Sequence, residues 1–64
     1  MNKILSAKEC DKYIRAYYLE HYGQRNDDEW QECSAVNIKC FKRDGKYFYL
    51  KCHILTGKIE VTVE

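Results

Sequence analysis

The sequence has no proline, only three glycines, and no pair of cysteines at the two-residue spacing of a zinc knuckle. The first two shortages leave no stretch of linker or low-complexity composition. The third removes the geometry that makes zinc motifs specific, because Cys10, Cys33, Cys40 and Cys52 are all more widely spaced. There is no apolar run near the roughly 18 residues of a membrane span. Excess charge of one sign is also missing. Eleven Lys and Arg against ten Asp and Glu give a net charge of +1, which argues against a dedicated nucleic-acid coat protein. Behind Lys3, Ile4 and Leu5 give way at once to Ser6, Ala7, Lys8 and Glu9. No signal peptide is therefore expected, and a cytoplasmic location with reduced thiols is.

What is present is apolar surface in a short chain. The 64 residues include six tyrosines, two phenylalanines and one tryptophan, so the chain has enough to bury and disorder is not expected. A domain of this size buries about 60% of the surface its unfolded form exposes. That leaves room for one apolar layer between two packed elements. A deep, water-excluding catalytic pocket is not expected, and the chain is read as non-enzymatic.

Residues 6–22 read as a helix. Ser6 is an N-cap with Glu9 at capping-box spacing, Leu5 and Cys10 suit a hydrophobic staple, and Gly23 is a stop. Ala7, Cys10, Ile14, Tyr17, Tyr18 and His21 form one apolar stripe, with Leu19 a misfit on the far side. Residues 24–32 read as a polar, acidic connection in which Trp30 closes one end of the core. Strands are expected over 34–42, 46–55 and 58–63. The fold class is then α+β, a single domain of one N-terminal helix on a three-stranded antiparallel meander, α-β-β-β.

Register follows from parity, since a one-residue slip turns a strand over. Burying Val36, Ile38 and Cys40 favours a three-residue loop, Arg43-Asp44-Gly45, with a bulge at Gly45. It pairs Cys40 with Phe48, Ile38 with Leu50, Val36 with Cys52 and Ser34 with Ile54. The alternative two-residue Asp44-Gly45 turn opposes the apolar faces and is set aside. A two-residue Thr56-Gly57 turn joins Ile59, Val61 and Val63 to Ile54, Cys52 and Leu50. The order of elements resembles that of double-stranded RNA-binding domains, which carry a further helix not found in this sequence. KCHILTGKIEVTVE is similar to the hairpin of PepSY-type modules. The resemblance is one of fold order and implies no activity.

Most of the candidate chemistry has a structural reading. Cys10, Cys40 and Cys52 are expected to behave as small core hydrophobes, with a disulfide or a Cys/His metal site as alternatives; no cofactor is expected. By parity Cys33 lies on the outer face, where a thiol is open to reaction. His21 suits the helix C-terminus. A Cys33–His53–acid arrangement has nothing to orient it, and Asp27, Asp28 and Glu29 lack the pattern of a calcium loop.

The feature that stands out is the outer sheet face. The single helix covers the other side, leaving Phe41, Tyr47, Tyr49 and Leu55 in solvent beside Lys39, Lys51 and His53. Exposed aromatic patches mark interaction surfaces, although cross-strand aromatic pairs also stiffen small sheets. These seven residues are the expected contact surface of a protein-binding module of adaptor or inhibitor type, of the kind that mobile elements encode. Single-stranded nucleic acid is the alternative ligand for the same face. A homodimer through the sheet face or a strand edge is a further expectation, with no membrane partner.

Overall fold

A computed structural model describes residues 3–33 and 35–64. The chain forms α1 (Ala7–His21), β1 (Glu29–Gln31), β2 (Ile38–Arg43), β3 (Lys46–Cys52) and β4 (Ile59–Val63). The four strands make one antiparallel sheet in the order β1-β2-β3-β4, and α1 crosses it over β3 and β4. No helix among the described residues is long and apolar enough to cross a membrane.

The helix forms as its punctuation predicts. The Ser6 hydroxyl accepts from the Glu9 amide and the Glu9 carboxylate accepts from the Ser6 amide, each at 3.2 Å, closing a capping box. Those hydrogen bonds hold the Glu9 carboxyl below its usual range. Gly23 takes the left-handed conformation, φ 68°, that ends the helix. Cys10, Ile14 and Tyr18 are buried, with Leu5, Tyr17 and Tyr22 packed against the same core. Leu19 points to solvent.

The sheet departs from expectation in three places. First, it has four strands rather than three. Glu29–Gln31, expected within a connection, pairs with β2 and sets Trp30 opposite Phe41. Trp30 does close one end of the core, its ring 5.0 Å from Tyr18 and 5.3 Å from Phe41.

Second, β2 has the opposite face inward. Asp44 and Gly45, at φ 53° and 78°, form a two-residue turn in place of the expected three-residue bulged loop. Positive φ at both central positions defines a type I′ turn, whose twist matches that of the flanking strands. Phe41 therefore lies opposite Phe48, Cys40 opposite Tyr49 and Lys39 opposite Leu50. Phe41 is 0% exposed, stacked on Phe48 at 4.9 Å and met edge-on by Tyr18 and Tyr22. One large ring on the inner face outweighs the smaller apolar residues that parity had placed there, since aromatics bury the most area and gain further from ring contacts. β2 also begins later than expected. Val36, expected in the core, is 65% exposed, and the expected Ser34–Ile54 pair involves a position outside the described residues.

Third, β3 ends at Cys52. The His53 amide donates to the Lys58 carbonyl, and this pair closes a four-residue loop, 54–57, while the His53 carbonyl accepts from the Thr56 and Gly57 amides. Ile59, Val61 and Val63 then pair with Cys52, Leu50 and Phe48. This is two residues away from the expected register. A shift of two keeps every side chain on its face, so β4 still points Ile59 and Val61 into the core while Ile54 leaves it.

With β2 in this orientation, Arg43 also faces inward. Its guanidinium binds both oxygens of Asp28, the Nε contact at 2.6 Å. It also donates to the carbonyls of Tyr22 and Gly23 at the helix end. The rings of Tyr18, Tyr22 and Phe41 surround it at 5.6–6.0 Å. The Tyr18 hydroxyl donates to the same carboxylate. The side chains of Asp28 and Arg43 are 1% and 11% exposed. The hydrogen bonds from Arg43, and after them the one from Tyr18, hold the Asp28 carboxyl below its usual range against the opposing effect of burial.

Removing one member of a buried ion pair strands the other, at a cost of about 3–5 kcal/mol. Asp28→Ala should lose stability on that scale in urea unfolding; a loss under about 1 kcal/mol would mean that the pair is dispensable. The pH dependence has a definite sign. The Asp28 contribution is present above the pH at which an unfolded Asp ionises, about 4. It drains away as pH falls through the lower native value. Asp28→Ala should accordingly show a flatter loss of stability on acidification than the parent chain.

Candidate functional site

The sheet face opposite the helix is built mainly by β3. Its alternation points Phe48, Leu50 and Cys52 to the core and Tyr47, Tyr49 and Lys51 outward, with His53 following in the same sense. Here expectation and structure agree. Lys42 lies opposite Tyr47, its Nζ 5.4 Å from the ring centroid. Ile38 lies opposite Lys51, and Thr62 opposite Tyr49. A shallow depression of about 230 Å³ runs between Ile38, Tyr49, Lys51, Glu60, Thr62 and Glu64. His53 Nε2 is 3.0 Å from Glu60 Oε2.

Two expected members of this face are elsewhere. Phe41 is at the centre of the core. Lys39 is on the helix side, its Nζ 3.8 Å from an Asp11 carboxylate oxygen. Both follow from the two-residue turn. The same inversion brings Ile38, Cys40 and Lys42 to the outer face, which parity from the bulged turn had not predicted. The Asp-Gly dipeptide, a strong short-range signal for a two-residue hairpin, was the clue to them. Leu55 is exposed in the β3–β4 loop, beyond the end of the ladder.

The four cysteines are free thiols and fall into two neighbouring pairs. Cys10 and Cys52 meet in the core, where burial and the adjacent Cys10 push the Cys52 thiol up to about 11. Cys40 is buried on the outer face beneath Tyr49 and beside Cys33, and burial raises its thiol as well. Burial and the adjacent Cys40 thiol similarly raise the Tyr49 hydroxyl. Among the described residues no three His, Cys, Asp or Glu side chains converge as a metal site. Cys33 keeps company with Cys40, whereas His53 is engaged with Glu60.

A second depression, about 310 Å³, opens at the helix end between Arg15, Tyr18, Gln24, Arg25, Asp28 and Trp30. Its charged groups are already committed, Asp28 to Arg43 and Arg25 to Asp27. No protein-family model, curated protein or solved structure matches the chain.

The thiolate is the reactive form of cysteine, so burial and a raised thiol pKa slow alkylation. Of the four, Cys33 is half-buried and the other three are buried. Brief iodoacetamide treatment of the native chain should therefore label Cys33 first, with Cys10, Cys40 and Cys52 following only on unfolding. Peptide mass spectrometry reads the order, and early modification of Cys52 would contradict the packing described.

Proposed function

We propose that the chain is a small, non-enzymatic binding module of adaptor or inhibitor type, working in the cytoplasm and contacting another protein through the outer sheet face. The observation that carries this reading is Tyr47 and Tyr49 standing with Lys42 and Lys51 on the sheet face that, among the described residues, no helix covers. A solvated sheet face is ordinarily polar. Tyr offers large contact area at low entropy cost, which is why it is enriched at interfaces. The committed state of the carboxylates at the helix end supports a non-catalytic reading.

Charge favours protein over nucleic acid. Glu60 and Glu64 line the same depression as Lys51, and a phosphate backbone approaching the groove would meet carboxylates as well as ammonium groups. A protein partner with mixed charge meets no such penalty.

The test is a pull-down from the organism that encodes the chain, comparing it with a Tyr47→Ala, Tyr49→Ala double variant whose fold is verified by circular dichroism. The variant is expected to lose its specific partner, and recovery of the same partners by both would refute the outer-face reading. Retention should also weaken only modestly between low and moderate salt. A steep, log-linear decline would instead indicate counterion release from nucleic acid.

A further inference from the structure

The two edges of the sheet differ in kind. The β1 edge is three residues long, begins at Glu29 and is followed by Glu32, the short, charged form that natural sheets use to discourage further pairing. The β4 edge has five residues, Ile-Glu-Val-Thr-Val, with no proline and no inward-pointing charge. Among the described residues nothing pairs with its outer side. The ladder fixes which backbone groups are free. Tyr47 and Glu64 exchange both hydrogen bonds, and the His53 amide donates to Lys58. Alternation then turns the amides and carbonyls of Ile59, Val61 and Val63 away from β3.

We propose that β4 pairs antiparallel with β4 of a second copy about a two-fold axis at Val61, making one continuous sheet across the dimer. This edge borders the outer face, sharing Glu60, Thr62 and Glu64 with it, but the pairing rests on the backbone of β4 and not on the reading of that face. The register is set by self-complementarity. With Val61 opposite Val61, Ile59 lies opposite Val63 of the second copy and the free amides and carbonyls meet in hydrogen-bonded pairs. The inner side of that ladder is wholly apolar and continues the core, covering Val63, which is 49% exposed in the single chain. On the outer side Lys58 lies opposite Glu64 of the second copy, in a non-hydrogen-bonded pair where side chains are closest.

The neighbouring registers lack this match. A slip of two residues one way sets Glu60 against Glu60, and the other way sets Glu60 against Glu64. Like charges directly opposite are destabilising. A single register therefore satisfies backbone, apolar and charged groups together, which is the signature of an isologous contact.

Sedimentation equilibrium over a dilution series tests this. The parent chain should approach twice 7.7 kDa at high concentration. Val61→Pro removes an amide that faces away from β3, a position where an edge strand tolerates proline, so the variant should stay folded and become monomeric. Lys58→Glu and Glu64→Lys should each weaken dimerisation about tenfold, and mixing the two should restore it as a heterodimer. The charge-swap arm decides the matter even if the proline variant does not fold. The proposal is overturned if the parent chain is monomeric at every concentration, including the case in which its edge binds only a foreign strand. It is equally overturned if a folded Val61→Pro chain still dimerises, or if the mixed variants associate no better than each alone.

Discussion

Arg43 keeps a guanidinium inside a domain that has little interior to spare, and the rest of the structure is arranged around that charge. Asp28 neutralises it, the helix carbonyls at Tyr22 and Gly23 take its remaining donors, and three aromatic rings exclude water from the group. The contact joins the helix end, the α1–β1 loop and the last residue of β2. Once Arg43 points inward, the pleat requires Phe41 to do so, and Phe41 recruits Trp30 across the β1–β2 ladder. The short strand β1 is thus tied to the ion pair as much as to its own sequence.

Much of this architecture was legible in the chain. The helix limits rest on local chemistry, the capping box at Ser6 and Glu9 and the left-handed Gly23, and local chemistry is what a sequence displays. The faces of β3 and β4 were legible because their alternation is unambiguous. β2 was not, since it offers two competing inward sets. Val36, Ile38 and Cys40 make the more apolar list, while Phe41 and Arg43 prevail through ring packing and a partner, Asp28, that lies 15 residues earlier. Such a partner leaves no mark on the local pattern. β1 was invisible for another reason, having one apolar residue in three positions.

The candidate binding face inherits this division. Tyr47, Tyr49, Lys51 and His53 were found because they depend only on β3. Phe41 and Lys39 were misplaced because they depend on β2, and Ile38, Cys40 and Lys42 were overlooked for the same reason. What survives is a Tyr-Lys surface of mixed charge, with Lys42 in place of Lys39 and with Glu60 and Glu64 on its border. That mixture of charge, more than the loss of one aromatic, sets the balance between the classes of ligand considered.

The Asp44-Gly45 turn has a further consequence. It behaves as a reading frame for side chains, fixing for every residue upstream in β2 whether it belongs to the interior or to the solvent. Lengthening that turn by one residue would leave composition and strand content nearly unchanged, yet it would exchange an aromatic interior for a thiol-lined one and present the displaced ring and guanidinium to water. Insertions that drift harmlessly in most surface hairpins should therefore be poorly tolerated here, and the shortest loop in the molecule is the one least free to vary in length.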